Sequence, residues 1–301
     1  MSQTAIGVAA VVFLGVAGAG RSEPTRCPPQ GYTRAYLKAL ATRNFEVADD
    51  AARNALALTL TGCLTSADPR LRDGIAFEAL SHFMRSGELR DETMLELEQR
   101  LVPWLVGDDP EGFRRPFAAL TLSELARADR IRPYLPEPVR TDLLAAAIRY
   151  LKSVSDYRGF DDKDGWRHGV AHGSDLVLQL SMNPAFARPE MERMLDAVAT
   201  QIAPRGHFYM FGEPGRLARP VLTIAQRGVF SQVEWTAWLA RVTAPTPFPN
   251  WAAAFESREG LARVHDVTAF VQGLYVAVRL SSDKSVLLLL PGVEQAARAL
   301  P

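Results

Sequence analysis

The chain has no surplus charge of either sign. Its 301 residues carry 34 Lys and Arg against 34 Asp and Glu, so the formal net charge at pH 7 is zero. That balance excludes a chain disordered throughout, which needs high net charge and few apolar residues. It also offers no basic excess to hold a phosphate backbone, so nucleic acid is not an expected partner. Cysteine is scarce: Cys27 and Cys63 are the only two, too few for a zinc-finger set and too far apart for a redox Cys-x-x-Cys. No Gly-x-Gly-x-x-Gly follows a strand, no Walker lysine loop occurs, and no Gly-x-Ser-x-Gly elbow marks a serine hydrolase. After residue 20 no uninterrupted apolar run is long enough to cross a bilayer. What is present, 48% apolar and 23% charged residues, is the composition of a globular chain.

Residues 5–19 read AIGVAAVVFLGVAGA, an apolar run without a charge. It is short for a membrane-spanning helix and has the length of the apolar region of a signal peptide. Ala17-Gly18-Ala19 supplies the small-x-small pattern of a cleavage site, although no Lys or Arg precedes the run. The expectation is a signal peptide over residues 1–19, cut after Ala19, and a periplasmic or secreted protein with no stable transmembrane span once the signal is removed. In an exported chain Cys27 and Cys63 can close a disulfide, worth ~2–4 kcal/mol. The alternative is two unpaired thiols, one of them buried in the apolar stretch 56–64.

Beyond the signal, apolar residues recur at three- and four-residue spacing in segment after segment, among them 32–44, 50–64, 73–85, 91–106, 115–128, 138–154, 165–182, 189–203, 214–227, 231–243, 251–280 and 293–300. No alternating run argues for a sheet; Val286–Leu290 reads as strand or helix. Turn and cap residues such as Asp68-Pro69, Asp109-Pro110 and Gly87 separate the segments. The expected fold is all-α: stacked antiparallel helix pairs, as an α-solenoid (HEAT-like) or αα-superhelix. Residues 20–301 form one helical domain, with the Pro-rich stretch 244–250 (APTPFPN) as a linker before a C-terminal helical cap.

The segment Tyr157–Asp175 carries the chemistry. Asp161, Asp162 and Asp164 gather before an expected helix start at Gly165, with Asp164 as its N-cap. Winding 165–182 at about 100° per residue puts Trp166, Val170, Val177 and Leu180 on one apolar stripe. His168, His172, Asp175 and Gln179 then share the opposite face. Two imidazoles at i and i+4 with a carboxylate three residues on can bind a small ligand or supply ligands to one metal ion. A divalent metal at His168, His172 and Asp175 is the only cofactor this spacing suggests. The metalloprotease pattern needs Glu directly after the first His, and here Gly169 stands there. Gly165, Gly169 and Gly173 recur every four residues, each costing up to ~1 kcal/mol in a helix interior, which calls for close approach of a neighbouring helix or a ligand. Arg158 and Arg115 can pair with Asp161 or Asp175, or bind an anion bidentately. Glu213 and Arg216 can pair with each other along a helix. His82, His207 and His265 stand alone and are read as core or surface residues.

Four ordered motifs carry a family resemblance: Asp68-Pro69-x-Leu71-Arg72-Asp73; Arg115-Pro116-Phe117-Ala118-Ala119-Leu120; Arg158-Gly159-Phe160 leading to Gly165-Trp166-x-His168-x-x-Ala171-His172-x-x-Asp175; and Glu213-Pro214-x-Arg216-Leu217-Ala218. Together, over about residues 30–280, they resemble the bacterial domain-of-unknown-function 2785 family. The resemblance implies an all-helical fold with the Gly-Trp-x-His-x-x-Ala-His-x-x-Asp segment as signature, and no activity. Arg115-Pro116 departs from the expected Arg followed by a small polar residue. Two functional expectations follow. The first is a protein that binds an unidentified small molecule or protein partner in a groove lined by Arg158, Trp166, His168, His172, Asp175, Glu213 and Arg216. The second is a metal-dependent or general-base hydrolase using His168, His172 and Asp175. Convergence of these side chains in an enclosed pocket with shifted pKa values favours a working site over an open face.

Overall fold

A computed structural model of the chain describes residues 27–301; the expected signal segment and its cut lie outside the described residues. The described chain is helical. In order, the helices are α1 (Arg34–Thr42), α2 (Asp50–Leu60), α3 (Pro69–Leu71), α4 (Glu78–Arg85), α5 (Asp91–Leu101), α6 (Arg114–Ile131), α7 (Glu137–Ser153), α8 (Gly169–Ser181), α9 (Arg188–Ala199), α10 (Glu213–Gln226), α11 (Gln232–Val242), α12 (Trp251–Ala254), α13 (Arg258–Arg279), α14 (Lys284–Leu287) and α15 (Leu290–Ala299). A π-helical turn, Arg72–Phe77, joins α3 to α4. The described residues hold one small sheet, the antiparallel pair β1 (Phe160–Asp161) and β2 (Gly165–Trp166), with Phe160 opposite Trp166. The all-α class expected from periodicity is the class observed.

The helices contact one another alternately. Along one row α4 packs on α6, α6 on α8, α8 on α10 and α10 on α13; beside it α7 packs on α9. Consecutive helices α5 and α6, α7 and α8, and α9 and α10 bridge the rows. Helix α8 is therefore covered on several sides, and ten of its residues, Gly169 to Ser174 among them, are buried. No described helix is long and apolar enough to cross a membrane.

Several boundaries differ from expectation for identifiable reasons. The segment 251–280 is not one helix: Ser257 caps a new one by accepting from the Gly260 N–H at 3.0 Å. A Cβ on Gly260 would lie 2.0 Å from the Ala254 carbonyl oxygen, so the two helices meet on bare backbone. Val286–Leu290 is not a strand: it spans the end of α14, a two-residue turn and the start of α15, with Asp283 capping α14 through the Ser285 N–H at 2.8 Å. Asp68 caps α3, with Pro69 in its first turn where the missing N–H costs nothing. Within 244–250, Arg263 binds the Ala244 carbonyl through two nitrogens, tying this stretch to α13. Cys27 and Cys63 are joined by a disulfide that links the start of the described chain to the turn after α2.

Candidate functional site

The helix expected at Gly165 starts four residues later, at Gly169. The three aspartates do not cap it. Asp161 instead accepts the N–H groups of Lys163 and Asp164, at 2.8 and 2.9 Å, and so closes the turn between β1 and β2. Gly165 follows with φ +74°, and a Cβ there would sit 2.8 Å from the Pro69 ring. The ladder continues past the strands: Arg167 N–H donates to Gly159 at 2.9 Å and His168 N–H to Arg158 at 3.1 Å. His168 itself adopts a left-handed conformation, φ 57° and ψ 42°. For a non-glycine residue this costs of order 1–3 kcal/mol, and such residues cluster at working sites. His168 is therefore the cap, not part of the helical face, and Trp166 is not on the core stripe. Trp166 lies on the ribbon, 38% exposed, stacked on His168 with ring centres 4.7 Å apart.

From these elements a cavity of about 450 Å³ forms, lined by Trp166, His168, His172, Phe211, Arg216 and Arg219 together with Gly212 and Gly215 of the α10 start. A volume of this size falls in the usual range of small-molecule pockets, about 300–1,000 Å³. His168 and His172 keep 7% exposure each, and their rings meet edge to face with centres 5.8 Å apart. Burial, with the Arg216 charge nearby, pushes the His168 imidazole down to about 4. Burial, then His168 and Arg216, push His172 down to about 3. Both rings are neutral at pH 7. The Phe211 backbone beside His168 and the Pro116 backbone beside His172 oppose the effect of burial only in part. Two of their ring nitrogens, His168 Nε2 and His172 Nδ1, are buried. Neither has a hydrogen-bond partner.

The carboxylates divide their roles. Asp175 binds Arg216 and lies 3.9 Å from Arg219; burial raises its pKa against the pull of Arg216. Glu213 comes within 3.6 Å of His168 Nε2 and accepts the Phe211 N–H at 2.9 Å. Burial raises its pKa as well. Glu213 and Arg216 thus pair with different partners and not with each other. Among the described residues no group of three or more His, Cys, Asp and Glu side chains is gathered as a metal ion requires.

Arg158 does not join the histidines. It holds Asp156 at 2.6 Å and the Pro110 carbonyl at 3.0 Å, and lines a separate cavity on the far side of Phe211. Arg115 binds the Leu105 carbonyl and Ser153. Gln179 accepts from Arg130 at 2.9 Å, away from the histidines. The glycine spacing is explained by a neighbouring helix: a Cβ on Gly173 would meet the Tyr150 ring at 3.0 Å, and one on Gly169 its hydroxyl at 3.3 Å. His207 stacks on Tyr157, and His265 meets the Tyr209 carbonyl at 3.1 Å; neither enters the cavity around His168.

Phe211 and Arg219 escape notice in the sequence, since a phenylalanine in a loop and a second arginine in α10 carry no pattern. Phe211 is fixed by glycine: a Cβ on Gly159 would lie 1.9 Å from its ring. The loop before it is anchored by Asp266, wholly buried in α13, whose Oδ1 accepts the Tyr209 N–H at 2.9 Å while Oδ2 has no partner. Burial pushes the Asp266 carboxyl up to about 7. Below the ordinary Asp range near 4, folded and unfolded chains are both protonated there; between that and about 7 only the folded chain holds the proton, so stability falls as pH rises. Asp266→Asn should therefore be more stable than wild type at pH 8 by about 3 kcal/mol, after ~1 kcal/mol for an unpaired amide, and ~1 kcal/mol less stable near pH 4. Urea midpoints at the two pH values check this; a difference that does not grow with pH refutes it.

Fold and site define an all-helical protein with a neutral imidazole pair behind a pocket edged by arginines. The chain belongs to the family described as protein of unknown function (DUF2785), whose family model matches residues 105–276. That span holds the ribbon, α8, α10 and the whole cavity. No curated protein and no solved structure matches the chain.

Proposed function

We propose that this protein binds a small organic anion in the cavity between α8 and α10. One observation carries the reading: His168 and His172, whose buried Nε2 and Nδ1 have no partners, line a pocket that Arg216 and Arg219 also line. A buried polar atom left unpaired costs about 1–3 kcal/mol, a cost that a hydrogen bond to a ligand removes. The N-terminal turn of α10, at Gly212 and Gly215, adds the positive end of a helix dipole to the same wall. A hydrolytic reading is favoured only by the Glu213 carboxyl beside His168. Imidazoles held near 3 and 4 are weak bases at neutral pH, so binding accounts better for this geometry.

The test uses Gly215, which lines the cavity and where an added Cβ would meet nothing within 4 Å. Wild type is titrated with citrate, malate, galacturonate and inorganic phosphate, following tryptophan fluorescence and thermal midpoint. At a hundredfold excess over Kd a ligand adds about 2.7 kcal/mol of stability. At least one anion should raise the wild-type midpoint, and Gly215→Leu, folded to the same extent, should lose the response. No response to any anion, or an equal response in Gly215→Leu, overturns the reading.

A further inference from the structure

We infer that the anion is a sugar acid and that a second saccharide unit lies across Phe211; this rests on the binding reading above. Charge comes first. Arg216 and Arg219 face one carboxylate, Asp175, and burial pushes the Glu213 carboxyl beside His168 toward its neutral form, so the cluster carries at most one uncompensated positive charge. That matches a single carboxylate and leaves a phosphate dianion unbalanced. Next come the bare nitrogens. His168 Nε2 and His172 Nδ1 have no hydrogen-bond partner, so the ligand must bring polar hydrogens or lone pairs to the same wall that holds its negative charge. Hydroxyl groups on the carbon frame of the acid supply them.

Shape gives the third constraint. Trp166 is 38% exposed and Phe160 45% exposed, their ring centres 5.1 Å apart. Aromatic faces are electron-rich and attract the slightly positive C–H bonds on the flat side of a saturated ring. A ligand that joins one carboxylate, several hydroxyls and an apolar C–H face is a pyranose acid.

The aromatic surface does not stop at Phe211. On its far side a second cavity of about 430 Å³ is lined by Tyr157, Phe160, His207 and Met210. Met210 is 74% exposed there, an apolar side chain left in solvent beside the aromatic rings. The arginines of this cavity are already committed: Arg158 to Asp156, and Arg167 to Asp164 and the Glu111 carbonyl. The second cavity therefore asks for a ring face without requiring a second anion. Phe211 lines both cavities, and Phe160 of the second meets Trp166 of the first.

Titration calorimetry with galacturonate, digalacturonate, galactose, citrate and phosphate tests the inference. Galacturonate should bind at least tenfold more tightly than galactose, and digalacturonate at least tenfold more tightly than galacturonate. Met210→Ser, at an exposed position, should bring digalacturonate to within threefold of galacturonate while galacturonate binding is unchanged. Equal affinity for the one- and two-ring acids overturns the second unit. Galactose binding as well as galacturonate overturns the acid. Citrate or phosphate binding without any saccharide overturns the sugar-acid assignment and leaves the anion reading standing; silence from all five removes both.

Discussion

Arg72→Met is expected to destabilise the protein by about 3–5 kcal/mol, the range for stranding the partners of a buried charge. Arg72 has no exposed surface. Its guanidinium donates to the carbonyls of Ser66 at 2.8 Å, Asp164 at 2.7 Å and Trp166 at 3.2 Å, and to the Asp73 carboxylate at 2.9 Å. It also lies over the Phe113 and Phe117 rings, 4.0 and 4.9 Å from their centres. Methionine fills similar space but donates nothing, so three carbonyls and a carboxylate lose their partner together. Two of those carbonyls belong to the ribbon that carries Trp166, and Phe117 packs edge-on against His172 at 5.3 Å. The loss should therefore be felt at the cavity as well as in the global urea midpoint. Arg72→Lys should recover only part of it, because an ammonium cannot span the same fork. A methionine variant within 1 kcal/mol of wild type would show that the ribbon is held by something else.

Asp129→Ala should cost a similar amount, about 3–5 kcal/mol. The carboxylate is 1% exposed and collects five hydrogen bonds: two from Arg140 at 2.6 and 2.9 Å, the N–H groups of Tyr134 and Leu135, and the Asn183 amide at 2.9 Å. These partners come from the turn after α6, from α7 and from the end of α8, so one side chain bolts three helices. Burial alone would raise its pKa, but the hydrogen bonds from Arg140, Leu135 and Tyr134 outweigh it and hold the group below the ordinary carboxylate range. A lowered folded-state pKa means the contribution is present above the unfolded value near 4 and is lost as pH falls below it. Wild type and Asp129→Ala should thus converge in stability toward acid pH. Denaturation from pH 7 to pH 3 reads this directly, and a constant gap refutes it.

The helices were legible because each buries one stripe, and the 3.6-residue period of that stripe survives in the sequence from Tyr32 onward. The contact of Gly169 and Gly173 with a neighbour was legible as a recurring energetic cost. The position of His168 was not. Helical winding of 165–182 assumed that the backbone stays right-handed, and nothing in Asp-Gly-Trp-Arg-His announces a two-residue ribbon followed by a left-handed histidine. Yet both imidazoles reached the same cavity, because His172 is fixed by the helix and His168 by its cap. Asp175 lies beside the arginines for the reason the winding gave, being three residues on from His172. Arg158 failed because its partner, Asp156, is only two residues away, and a local carboxylate captures a guanidinium before a distant one can. The long-range partners Arg72 and Asp266 were invisible: their positions depend on contacts across more than 50 residues of chain.

The approach of α8 to Tyr150 fixes more than packing. With a Cβ at residue 169 or 173 meeting the tyrosine at 3.3 or 3.0 Å, the helix packs most closely in one rotation about its axis. One residue inserted after Gly169 would swing everything beyond it by about 100°, pressing a bulkier group onto the tyrosine and carrying the second imidazole out of the pocket wall. Spacing between the two rings is thus set by the opposite side of the rod, through a contact in which neither ring takes part.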